Sequence, residues 1–169
     1  MALAITTLAM GLAIAAGQAH AQVAECQNVN LAAASRLAAC SRVIADARLP
    51  VDDRAEAYSS RGSMLDEAGR HDEAIADFTH ALKLVPDDPV ALIARGNAYD
   101  NKGDKQRALT DYSAAILLNP GDAAPYYNRG AIYQELGEAA KAIADYKKAL
   151  EIDPEFEQAK DGLAELTGK

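Results

Sequence analysis

The sequence predicts an all-α solenoid of antiparallel helix pairs: three full repeats, a degenerate half-repeat before them and a capping helix after them. Three observations carry this expectation. Pro86, Pro120 and Pro154 recur at a spacing of 34 residues. A fixed set of small and ring residues travels with each proline, from the glycines Gly62, Gly96 and Gly130 to the rings Phe78, Tyr112 and Tyr146. Within each period the apolar positions follow two successive i, i+4, i+7 rhythms, the stripes of two amphipathic helices.

The segment at residues 1–21 reads as a secretory signal peptide. Ala2 to Ala16 holds only small and apolar residues apart from Thr6 and Thr7, and Ala19-His20-Ala21 is a small-x-small cleavage signal. Gln18, His20 and Gln22 interrupt the run before it reaches the roughly 20 apolar residues a membrane span needs. Glu25 beside Cys26 argues against lipidation of that cysteine. Export would place the mature chain in the periplasm or outside the cell, with no membrane insertion.

Residues 22–54 follow as the half-repeat. Leu37 to Ile44 superimposes on Ile75 to Leu82, with Cys40 at the position of Phe78. Two cysteines in an exported chain suggest a disulfide, Cys26 to Cys40, pinning the chain ahead of that helix across it. Two buried thiols are the alternative.

The repeats occupy 55–88, 89–122 and 123–156. In the third, Tyr126, Gly130 and Tyr133 stripe the first helix, and Ala142, Tyr146 and Ala149 stripe the second. Gly69, Gly103 and Gly137 stand where a left-handed residue would end each first helix. Small residues allow close helix approach, and the rings are expected to fill gaps between neighbouring repeats. Proline then closes each unit. Residues 157–169 read as a capping helix and tail, with Phe156, Ala159, Leu163 and Leu166 on one apolar face and Gly162 expected to weaken the helix.

This pattern resembles the tetratricopeptide repeat, although Tyr58, Leu92 and Tyr126 stand where that family often has tryptophan. The resemblance implies a right-handed superhelix whose concave wall comes from first helices, and a role in binding other polypeptides. On that wall it would place Ser63 and Asp66, then Ile93, Asn97, Asp100 and Asn101, then Tyr127, Gln134 and Glu135. No basic residue falls on this face, so the expected ligand is a neutral or basic segment, with Ile93 and Tyr127 as apolar anchors and Asn97 and Asn101 bonding its backbone. The family's carboxylate clamp for chaperone tails is missing: Ser59, Ser63, Ala94, Ala124 and Asn128 occupy its positions.

One polar feature repeats with the period. Arg61, Arg95 and Arg129 precede the first-helix glycines, and Asp77, Asp111 and Asp145 precede the second-helix rings, which suggests an architectural ion-pair ladder within or between repeats. Catalytic chemistry finds no support. His71 and His80 are nine residues apart and point away from each other, which suits solvated surface positions rather than metal ligation. Asp52-Asp53, Asp72-Glu73 and Asp87-Asp88 sit where helix starts or turns explain them. A net charge of −8 without a basic cluster gives no basis for nucleic-acid binding.

The reading is therefore a non-enzymatic adaptor or scaffold without cofactor or metal, its partner a protein or peptide and its oligomeric state open. The alternative is an assembly subunit of an envelope complex using other faces of the array.

Overall fold

The computed structural model describes residues 21–168; the leader reading falls almost wholly outside them. The chain divides after Val85 into two compact units. Among the described residues every element is helical, and no helix is long and apolar enough to cross a membrane.

The first unit holds a helical stretch at residues 21–27, then α1 (Ala33–Ala45), α2 (Val51–Glu67) and α3 (His71–Leu84). The second holds α4 (Pro89–Asn101), α5 (Lys105–Leu118), α6 (Ala123–Glu135), α7 (Ala139–Ile152) and α8 (Glu157–Thr167). Helices α2 and α3, α4 and α5, and α6 and α7 pair as hairpins. Between them Gly69, Gly103 and Gly137 adopt φ of 74°, 88° and 75°, a conformation that a Cβ would strain. The amides that follow, on Arg70, Asp104 and Glu138, close back onto the carbonyls of Leu65, Tyr99 and Tyr133 at 2.8–2.9 Å. That bond satisfies carbonyls the helix end would otherwise orphan.

Aspartates start α4, α5 and α6 in the second unit. Asp88 accepts from the amides of Val90 and Ala91, with Pro89 at the first helical position, and Asp122 accepts from Ala124. Asp52, Asp53, Asp72 and Glu73 lie in the first turns of α2 and α3, where they favour the helix dipole.

The rings pack within their own hairpins as well as toward the neighbouring element. A Cβ on Gly62 would stand 2.9 Å from Phe78, on Gly96 2.7 Å from Tyr112, and on Gly130 3.0 Å from Tyr146. Each ring thus lies against the glycine of its own hairpin, and Tyr112 and Tyr146 also fill the space toward the next element as expected, Tyr112 beside Ile132 of α6 and Tyr146 against Gly162 of α8. Gly162 is also no simple weakness: it is where α8 meets Tyr146, next to buried Ala159 and half-buried Phe156, Leu163 and Leu166.

At the amino-terminal end, Cys26 and Cys40 form a disulfide, and both are buried with Ala39, Val43, Ala57 and Met64. The segment pinned over α1 is itself helical at residues 21–27, so the half-repeat has helix there in place of a bare chain. Arg42 adds an ion pair to Glu25 at 2.7 Å. In the chain-entropy picture a loop of this size contributes about 3 kcal/mol.

The six ladder residues form three bidentate pairs. Arg61 donates to both carboxylate oxygens of Asp77 at 2.7 Å, and Arg95 to Asp111 and Arg129 to Asp145 at 2.8 Å. The aspartates are buried, 4–7% exposed. These bonds raise each arginine's pKa while burial opposes them, and they leave no carboxylate stranded in the interior. Each pair joins the two helices of one hairpin. A third bond reaches the preceding second helix: Arg61 Nη1 donates to Ser41 Oγ at 2.9 Å, and Arg129 Nη1 to Ser113 Oγ at 3.0 Å.

Candidate partner-binding surface

An open cleft of about 600 Å³ lies between α6 and α8 in the second unit. Its floor is built from Tyr127, Ala131, Tyr146 and Gly162, its rim from Gln134, Glu135, Gln158, Asp161 and Glu165. Gly162 is what lets α8 come this close, because the Tyr146 ring occupies the space a side chain would need.

Gln134 ties floor to rim. Its Nε2 donates to Glu165 at 2.9 Å, and its Oε1 accepts from the Tyr146 hydroxyl at 2.7 Å. Burial first, then Tyr127 and the carboxylates Glu165 and Glu135, push the Tyr146 phenol up to about 12. It therefore stays a donor at neutral pH and holds the amide in one orientation. Glu135 is paired with Lys105 at 2.5 Å, and Lys105 also reaches Asp100 at 3.0 Å. Its pKa is raised, chiefly by Glu135. Asp161 is exposed and carries its charge on the rim.

Several expected contact residues are engaged within the fold. Tyr127 is half-buried, its ring 5.8 Å from Tyr146 and 5.0 Å from Phe156. Ile93 is half-buried against the cluster of Ala108, Leu109, Tyr112 and Ile132. Both are cleft wall or core support rather than free anchors, because an interior of this kind leaves no gap beside large side chains. Asn97 offers no free acceptor: its Oδ1 takes the Tyr112 hydroxyl at 2.7 Å and Asn128 Nδ2 at 3.0 Å. Asp100 does not stand alone, since Lys105 on the second helix neutralises it. Asn101 is exposed on the last turn of α4.

In the first unit, Ser63 donates to its own helix at the Ser59 carbonyl, 3.1 Å away. Asp66 meets His71 Nδ1 at 2.6 Å. His71 is half-buried and bound to Asp66, whereas His80 is exposed as expected and stacks on Tyr58 at 5.1 Å.

The rim residues of α8, Gln158, Asp161 and Glu165, were not among the contact residues expected from the sequence. Their spacing was the available signal: Asp161 and Glu165 are four residues apart, on one side of a helix whose other side is apolar. Among the described residues no group of three metal-ligating side chains comes together.

Comparison with known proteins agrees with this architecture. Family models described as "Tetratricopeptide repeat" match residues 55–88 and 123–156, and one described as "TPR repeat" matches 96–137. Together they span more than half of the chain. The first repeat domain of Spaghetti (RPAP3), solved with an HSP90 peptide, is similar at 27% identity and a TM-score of 0.67, over 69% of this chain and 93% of that one. The first such domain of human RPAP3 is 28% identical, with a TM-score of 0.65 over 68% of this chain and 90% of its own. The crystal structure of MamA is 26% identical, with a TM-score of 0.72 over 80% and 77%. No curated protein sequence matches the chain.

Proposed function

The chain belongs to the tetratricopeptide repeat family, and from that premise we propose that it is a non-enzymatic adaptor whose α6–α8 cleft holds a neutral or basic polypeptide segment. The observation that carries this reading is the cleft itself: an aromatic floor ringed by Glu135, Asp161 and Glu165. A segment with lysine or arginine beside an apolar residue matches that arrangement, cation toward rim and apolar group toward Tyr127.

Peptide binding is a precedent among similar structures, one of them solved with the HSP90 peptide SRMEEVD and another with the HSP70 peptide SGPTIEEVD. Those peptides are acidic. The rim of the present cleft carries the same sign as those peptides and would repel them, and no cation stands at the carboxylate-clamp positions Ser59, Ser63, Ala94, Ala124 and Asn128. We place the adaptor in an oxidising compartment of the cell envelope or outside the cell, since structural disulfides such as Cys26–Cys40 persist there and the leader pattern suits export.

Fluorescence anisotropy with a lysine- and leucine-containing peptide, set against an acidic peptide ending in EEVD, tests the reading. The basic peptide should bind, weaken with added salt, and lose its affinity in an Asp161→Lys, Glu165→Lys variant that still melts like the parent. Preference for the acidic peptide, or equal binding by the variant, overturns it.

A further inference from the structure

One six-residue frame occurs in each unit. In the second it consists of Leu109 and Ser113 on α5, Arg129 and Tyr133 on α6, and Lys141 and Asp145 on α7. In the first it consists of Leu37 and Ser41 on α1, Arg61 and Leu65 on α2, and Glu73 and Asp77 on α3. The hydrogen bonding is the same in both: the arginine grips its aspartate with two bonds and its serine with a third.

The frames differ at the fourth and fifth positions. Tyr133 packs against the cluster containing Leu109, and Lys141 Nζ stands 5.0 Å from the centroid of its ring. Tyr99, at the same place in its hairpin, lies under the guanidinium of Arg107 at 5.2 Å. A ring beneath a cation is thus what this position holds whenever the chain supplies one. The first hairpin supplies Leu65 instead, and there the frame borders an open cavity of about 450 Å³ lined by all six of its residues.

We infer that this cavity is a socket for a tyrosine side chain presented by a partner polypeptide. The site is independent of the α6–α8 cleft. Its volume falls within the range of about 300–1,000 Å³ typical of ligand pockets. Its walls are apolar at Leu37, Ala38, Leu65 and Ala76. Across the mouth runs the ion pair of Arg70 and Glu73, at 2.6–2.7 Å, with its charges in the reverse order of the Asp104–Arg107 and Glu138–Lys141 pairs at the same positions of the other hairpins. Arg70 offers a cation to the ring face, and Glu73 an acceptor for the phenol hydroxyl, which distinguishes tyrosine from phenylalanine. Ala38, Arg70, Glu73 and Ala76 are exposed, so the entrance opens to solvent.

The tyrosines of this sequence are already placed elsewhere in the fold. All seven tyrosines of the chain lie within α2 to α7, and residues 1–20 contain no tyrosine, phenylalanine or tryptophan.

The test uses the full chain, titrated with N-acetyl-L-tyrosinamide as a mimic of a residue inside a polypeptide and followed by amide chemical shifts. Saturable shifts confined to α1, α2 and α3 are expected, at least tenfold tighter than for N-acetyl-L-leucinamide. Leu65→Tyr should abolish them while raising Tm, because the chain then fills its own socket. Ala38→Phe, at the exposed mouth, should block them without touching the core. No response up to the solubility limit, an equal response to the leucine amide, or undiminished binding by both variants overturns the proposal. Tighter binding of free L-tyrosine than of the blocked amide overturns the polypeptide source.

Discussion

Gly162 lies so close to Tyr146 that a Cβ on it would stand 2.7 Å from the ring's Cε2 and Cζ. Gly162→Ala therefore pits two effects against each other. Alanine improves intrinsic helix propensity by about 1 kcal/mol, whereas forcing a methyl into a packed ring typically costs about 1–3 kcal/mol. The clash should win, because Tyr146 is also pressed against Gly130 and tied to Gln134. Thermal unfolding should show a lowered Tm; a raised one would mean that α8 can shift away at no cost.

Arg95→Leu removes one side of a pair whose aspartate is buried. Asp111 is only 5% exposed, and an unpaired charge left there costs about 3 kcal/mol. Adding Asp111→Leu should return much of that loss, since two apolar groups need no partner. Denaturant melts of the single and double variants measure the difference. Equal stability of both would show that Asp111 finds other support.

The disulfide makes a regional prediction. Cys26→Ser with Cys40→Ser should lower stability by about 3 kcal/mol in the entropic model. The loss should be confined to the first unit, where the pair is buried with Val43, Ala57 and Met64. Hydrogen exchange should accelerate in α1 and leave α6 to α8 unchanged; uniform acceleration would contradict a local role.

Tyr146 predicts a response to alkali. Its phenol is held at about 12, against an ordinary 10.0, so the folded chain keeps a proton that the unfolded chain gives up. A raised folded pKa stabilises fully below the unfolded value and is lost as pH rises through the folded one. Tm should therefore fall more steeply between pH 10 and about 12 in the parent than in Tyr146→Phe. At neutral pH the same variant should cost about 1 kcal/mol for the hydroxyl bond to Gln134. Parallel curves would remove Tyr146 from the account.

The helix pairs were legible in the sequence because their determinants recur. Gly130 and Tyr146 keep the same distance as Gly62 and Phe78, and the turn glycine and proline keep step with them. Arg129 and Asp145 were legible for the same reason, although their bidentate geometry and the third bond to Ser113 were not. The binding face was harder to read because its state depends on partners distant in sequence. Asn97 loses its acceptor partly to Asn128, and Asp100 loses its isolation to Lys105 on the next helix. Tyr127 is covered by Phe156, which belongs to the chain entering α8. The socket in the first unit was visible as Leu65 standing where other hairpins carry tyrosine, but its empty space emerges only once α1 and α3 flank it.

The two units are closed by different chemistry. Cys26 and Cys40 latch the first covalently, while α8 closes over α6 and α7 in the second by packing alone. A reductant can therefore unlatch only the unit that holds the socket. The cleft is assembled wholly from α6, α7 and α8, so its shape is blind to redox state, and a newly made chain could engage a partner there before its thiols are oxidised.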